Sequence, residues 1–234
     1  MKPKTNFSDL EKKLGYFFSD SSLLSLALTH KSFSSKNNER LEFIGDAVLG
    51  YVIATDLYSR HKKLHEDALS LMRVALVRGD MLSEVALECG LSDHLLLGPG
   101  ELKSGGRTRS SILADALEAV IGAVHEDGGI EDCRNLITNI FGSRLMNLEP
   151  ENLKDPKTRL QEILQGNNEE LPVYEVESVT GQDHDLSFKV KCSLPSLNIA
   201  QFGEGASRRL SEKIAAQRII EAVSYTHLTL PTKA

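Results

Sequence analysis

Tryptophan is absent from this 234-residue chain, and only three cysteines occur, Cys89, Cys133 and Cys192. They lie far apart and form no C-x-x-C pair, which argues against a zinc site or a disulfide framework and for a reducing compartment. No apolar run approaches the roughly 18 residues that a membrane span needs, so no membrane association is expected. The N-terminus, MKPKTNFSDLEKKLGYFF, carries early charges but no apolar signal-peptide stretch, so the expected location is cytoplasmic. A basic excess is missing too. Net charge is −6, with 17 Lys and Arg against 21 Asp and Glu up to Pro150, and 10 against 12 beyond it. Any contact with nucleic acid must therefore come from local patches and be salt-sensitive.

What is present divides near NLEPENLKDP, a polar stretch with two prolines that reads as an interdomain linker. Before it, from Phe7 to about residue 146, apolar residues recur at helical spacing and no strand-like alternation interrupts them. Ser8 and Gly15 bracket one helix, and Asp20 or Ser21 caps the next. HEDALSLMRVALVRGDMLSEVALECG reads as helical, LGPGELKSGGRTRS as a Gly-rich loop, and two further helical stretches close the region. The expectation is an irregular all-α bundle. After the linker, Asp155 and Pro156 open a helix that Gly166 stops. Three alternating segments, PVYEVESVTG, HDLSFKVKCSL and NIAQFGEG, then read as antiparallel strands, and SRRLSEKIAAQRIIEAV as an amphipathic helix. That α-β-β-β-α order is a small α+β domain with both helices on one face of a sheet. The last eleven residues, SYTHLTLPTKA, fit neither domain and read as a cloning scar or a disordered terminus. The expected boundaries are 1–148, a linker at 149–154, 155–223, and a tail at 224–234.

The chemistry lies in NNERLEFIGDAVLGYVIA. Glu39, Glu42 and Asp46 recur at i, i+3 and i+7 and stack three carboxylates along one stripe of an otherwise apolar helix. SSILADALEAVIGAV repeats the pattern with Asp115 and Glu118 at i, i+3. Acids near a helix start can simply meet the dipole, but Asp46 and Glu118 lie beyond the first turn, and Arg40 can neutralise only one carboxylate. If the two helices pack together, Glu42, Asp46, Asp115 and Glu118 converge with no cysteine or histidine among them. An all-oxygen donor set suits Mg²⁺, with Mn²⁺ able to substitute, rather than zinc. A di-iron bundle would want Glu-x-x-His, and the positions three after Glu42 and Glu118 are Gly45 and Ile121.

NERLEFIGDAVL resembles the signature of ribonuclease III, the double-strand-specific RNA endonuclease. LVRGDMLSEVA, LGPGELKSGG and SILADALEAVIGAV follow in the family's order, and DPKTRLQEILQG with the α-β-β-β-α unit resembles its double-stranded-RNA-binding domain. The resemblance spans roughly Phe7 to Val223. It implies metal ligation by Glu42, Asp115 and Glu118, catalytic roles for Asp46 and Glu118, and supporting or interface roles for Glu39 and Glu66. It further implies Mg²⁺-dependent hydrolysis leaving 5′-phosphate and 3′-hydroxyl ends, processing of ribosomal-RNA precursors and other structured RNAs, and a homodimer whose signature helices meet on a two-fold axis. Phe43 would then be a dimer contact; the alternative is an ordinary core phenylalanine. The family often has His before NERLEF, where this chain has Asn37. A non-catalytic relative of the same fold is the competing reading, but such a chain would be expected to lose one or more of the four acids.

Double-stranded RNA is recognised mainly by shape, through 2′-hydroxyls and phosphates. Thr158, Gln161 and Glu162 share one face of the first helix of the small domain and can meet ribose hydroxyls. His184 sits in the turn between the first two strands, where the family inserts a loop into the next minor groove. Ser207, Arg208, Arg209 and Lys213 place cations and backbone N–H groups at the start of the last helix, suited to phosphates. Related domains often have another Lys where this chain has Leu210 or Glu212, so a thin, salt-sensitive clamp is expected. Lys103, Arg107 and Arg109 in the Gly-rich loop either touch substrate phosphates or belong to a merely solvated loop.

Overall fold

The computed structural model describes residues 7–182 and 185–227. The chain forms two compact units, divided between Asn152 and Leu153.

The first unit is helical: α1 (Ser8–Leu14), α2 (Ser21–Ala27), α3 (Glu39–Arg60), α4 (Glu66–Val77), α5 (Gly79–Cys89), α6 (Pro99–Lys103), α7 (Ser110–Gly128), α8 (Ile130–Phe141) and α9 (Ser143–Met146), with α10 (Pro150–Leu153) at the division. Local signals act where expected. Gly15 ends α1 in the left-handed region at φ 74°, and the Asp20 carboxylate accepts the Ser22 N–H at the start of α2. Helix α7 is the centre of the unit. Eleven of its residues, from Ile112 to Val124, are buried, and α2, α3, α5 and α8 pack around it.

Two expectations need correcting. HEDALSLMRVALVRGDMLSEVALECG is two helices, because Arg78 is extended (ψ 147°) and turns the chain between α4 and α5. The apolar rhythm runs on across that bend and conceals it. The Gly-rich segment is also ordered, with α6 and a 3₁₀ turn at Gly106–Thr108.

The second unit has the order α11 (Pro156–Gly166), β1 (Val173–Thr180), β2 (Ser187–Leu194), β3 (Ile199–Gly205) and α12 (Arg208–His227). The sheet is antiparallel in the order β1-β2-β3, with a bulge in β1 between Val176 and Ser178. Helix α12 packs on β2, β3 and α11. The core joins Leu160 and Leu164 of α11, Cys192 and Leu194 of β2, and Ala215, Ala216, Ile219 and Ile220 of α12. Helix α12 continues to His227, four residues past the expected domain end at Val223; residues 228–234 lie outside the described residues.

Candidate active site

The approach of α3 to α7 depends on two glycines. A Cβ at Gly45 would collide with the Glu118 carbonyl oxygen, and one at Gly122 with the Leu41 carbonyl oxygen. Each helix thus presents a bare backbone where the other crosses it. The acids at the crossing and within a turn of it are thereby brought face to face. Carboxylate oxygens of Glu42, Asp115 and Glu118 lie within 4.8 Å of one another, and all three side chains are half-buried. They line a cleft of about 460 Å³ together with Lys31, Glu39, Phe43 and Asp46.

The electrostatics are those of a cation site. Burial, then the charges of Asp46, Asp115 and Glu42, push the Glu118 carboxyl up to about 7. Glu42 is raised by burial and by Asp115, and Asp115 by burial, which outweighs the opposing effect of His30 and Lys31. Like charges in a half-dry cleft hold protons, and a divalent cation relieves the same repulsion. Three carboxylate oxygens with no sulfur or imidazole donor fit a hard, oxygen-seeking ion.

Asp46 lines the cleft but is exposed and stands outside the close trio. Its apolar sequence neighbours point to other faces of α3, so they do not bury it. Glu39 is exposed as well. Its carboxyl is lowered by bonds from Lys31 Nζ (3.2 Å) and the Asn37 amide (3.2 Å). Lys31 is the cation of this cleft, whereas Arg40 lines a separate groove of about 660 Å³ with Leu23, Leu26, Phe43 and Ile44. Neither Lys31 nor Asn37 stood out as a site residue in the sequence, because single polar residues in a loop carry no periodic signal. Asn37 also accepts the Glu39 N–H, and so supports α3 at the position where His is often found.

Glu66 lies at the start of α4, lines a different pocket and accepts the Ser70 hydroxyl at 2.6 Å. Phe43 is 80% exposed, which removes the core alternative. Arg107 donates to the Ser92 carbonyl (2.6 Å), and Arg109 pairs with Glu101 (2.7 Å) and donates to Ser104 (3.0 Å). Both arginines hold the loop they stand in; Lys103 is exposed.

In the second unit, Thr158, Gln161 and Glu162 are exposed together on α11, and Glu162 pairs with Lys154 at 2.6 Å. The Ser207 hydroxyl accepts the Leu210 N–H at 3.2 Å at the start of α12. Arg208 pairs with Glu212 (2.8 Å) and Lys213 with Asp155 (2.7 Å), while Arg209 is exposed and has no ion pair among the described residues. His184 lies outside the described residues.

Residues 20–144 match the family model described as Ribonuclease-III-like, and residues 156–223 match the double-stranded RNA binding motif. Proteins named Ribonuclease 3 match nearly end to end: that of Shewanella loihica is 51% identical over 95% of this chain and 99% of its own length. That of Vibrio parahaemolyticus is 50% identical over 92% and 96%. This chain belongs to the ribonuclease III family. The nuclease domain of ribonuclease III from Campylobacter jejuni superposes with a TM-score of 0.59 at 42% identity, covering 61% of this chain and all of that one. Within a ribonuclease III, the cleft between α3 and α7 belongs to the segment matched as nuclease, and the faces of α11 and α12 to the segment matched as RNA-binding motif.

Proposed function

We propose that the chain is a divalent-metal-dependent endonuclease of double-stranded RNA that works as a homodimer in the cytoplasm. The observation that carries this is the carboxylate trio of Glu42, Asp115 and Glu118, joined in one chain to a double-stranded RNA binding motif. The first unit is its catalytic and dimerisation domain, and the second binds the duplex.

Glu42, Asp115 and Glu118 would hold Mg²⁺, with Mn²⁺ as a substitute. When bound there the ion supplies a Lewis acid that lowers the pKa of a water and offsets the charge of the phosphodiester. Asp46, exposed and lining the same cleft, would accept a proton or orient that water. Glu118, the most strongly perturbed of the acids, divides its role between ligand and proton acceptor. Lys31 and Asn37 bond Glu39, which lines the same cleft and whose charge still reaches Glu42. Products would carry 5′-phosphate and 3′-hydroxyl ends, and the substrates in the cell are precursors of ribosomal RNA and other structured RNAs.

Cutting both strands requires two clefts. The C. jejuni nuclease-domain structure is described as having a region involved in dimer formation. In this chain Phe43, Tyr51 and Tyr58 are exposed at heptad-like spacing along α3, and an apolar groove lies beside Phe43. That face supports an isologous dimer with α3 near the axis. Retention of all four acids argues against a purely RNA-binding role.

The test replaces Glu118 with Gln. Cleavage of a long duplex in Mg²⁺ should be lost, while binding of the same duplex in Ca²⁺ persists. Normal cutting by that variant would reject the site.

A further inference from the structure

Glu212 is the one buried charged residue among the described residues, at 8% exposure. A carboxylate so placed is costly unless cations and hydrogen bonds compensate it, and an apolar residue of similar volume is often as stable or more so. It is compensated here from two elements at once. Lys157 of α11 reaches one carboxylate oxygen at 2.5 Å, and Arg208 of α12 reaches the other at 2.8 Å. Burial pushes the carboxyl up, but these two bonds outweigh it and hold it below the usual range. The Lys157 ammonium also sits 4.5 Å above the Tyr174 ring of β1.

A second tie runs the opposite way. Asp155 accepts the Lys157 N–H at the start of α11 and pairs with Lys213 of α12 at 2.7 Å. Five charged groups thus cross-link the first turn of α11 to the first two turns of α12. Lys157 immediately precedes Thr158, and Arg208 immediately precedes Arg209. The ties therefore lie one residue away from the groups on each helix that face the RNA in the function proposed above.

We propose that Glu212 is a positioning residue for double-stranded RNA recognition: it fixes the start of α12 against the start of α11, so that Thr158 and Gln161 on one helix and Arg209 on the other meet the duplex at one set spacing. A-form RNA is read by shape, and its grooves and phosphate rows stand at fixed distances. A protein that reads such a lattice with two helices gains from a rigid tie between them. Lys157 and Arg208, on this account, serve the tie rather than a phosphate.

The inference rests on the RNA-binding face assigned above, and the two are separable. Binding of the full chain to a blunt RNA duplex is measured in Ca²⁺ across a salt series, with melting of each variant followed in parallel. Positioning predicts that E212Q binds about tenfold more weakly although it gains a net positive charge, that K157Q does the same, and that the double variant is no weaker than either. The slope of log affinity against log salt stays as in the wild type, since no phosphate contact is removed. Simple electrostatics predicts the reverse: E212Q tightens, K157Q weakens and the double variant returns to wild-type affinity. That pattern would overturn the proposal. If E212Q fails to fold, K157Q decides, because a slope lowered by about one would make Lys157 a direct phosphate contact and end the argument. R209A is the control on the underlying reading, expected to weaken binding and lower the slope by about one. An unchanged R209A would place the RNA face elsewhere, whatever Glu212 does.

Discussion

With its carboxyl pushed up to about 7, Glu118 holds a proton more tightly in the folded chain than in the unfolded one. Linkage then fixes the sign. Stability is unaffected at low pH, where both states are protonated, and is eroded as pH rises from the ordinary carboxylate range to about 7, beyond which the loss is complete. E118Q removes that penalty. In the presence of chelator it should melt with the wild type at pH 4, and about 2–6 °C above it at pH 8, the size expected of about 1–2 kcal/mol after allowance for partial exposure. Adding Mg²⁺ at pH 8 should raise the wild-type melting point and leave the variant's nearly unchanged, reversing the order. Scanning calorimetry reads all of these, and equal melting at both pH values in chelator would remove the electrostatic basis of the site. At this scale the four acids were legible because carboxylates are conspicuous inside apolar helices. Lys31 was not, since its meaning comes only from the cleft it faces. Arg107 and Arg109 looked free because a sequence does not display the carbonyl and carboxylate waiting for them across the loop.

Helices α3 and α7 turn that spacing into geometry. Their backbones meet where Gly45 and Gly122 omit side chains, and the acids lie within a turn of the crossing. A methyl at Gly45 meets backbone, which cannot swing aside, so the helices must separate. G45A should cost about 2–4 kcal/mol, at the upper end for overpacking in a close contact. More tellingly, it should weaken divalent-ion binding in a Ca²⁺ titration, because spreading α3 from α7 pulls Glu42 away from Asp115 and Glu118. G50A is the matched control on the same helix, since a Cβ there meets nothing within 4 Å. Comparable ion binding by G45A and wild type would detach the site from this crossing. The elements were mostly readable: caps, apolar stripes and strand alternation all act locally. The bend at Arg78 was hidden because apolar periodicity continues through it. The crossing itself was hidden because a glycine's reason for being small lies on another helix some seventy residues away.

Among the described residues one chain holds one carboxylate cleft, and a duplex has two strands. The exposed face of α3 that carries Phe43 also borders that cleft, so a two-fold axis along it would place two clefts side by side. On such an axis a substitution meets its own copy. F43E would set two carboxylates against each other in an apolar seam and shift the 25.8 kDa chain to monomer in sedimentation. Its melting should change little beyond the loss of the interface, since Phe43 packs into no core of its own chain. A dimer formed from one wild-type and one E118Q chain keeps two RNA-binding units but only one complete set of acids. Isolated by two different affinity tags, it should bind the duplex as the wild type does and cut one strand, giving a nick that a denaturing gel resolves and a native gel does not. The E118Q homodimer should bind and cut neither strand. A mixed dimer that severed both strands at the wild-type rate would mean that one cleft serves both, and the pairing of clefts across α3 would have no catalytic purpose.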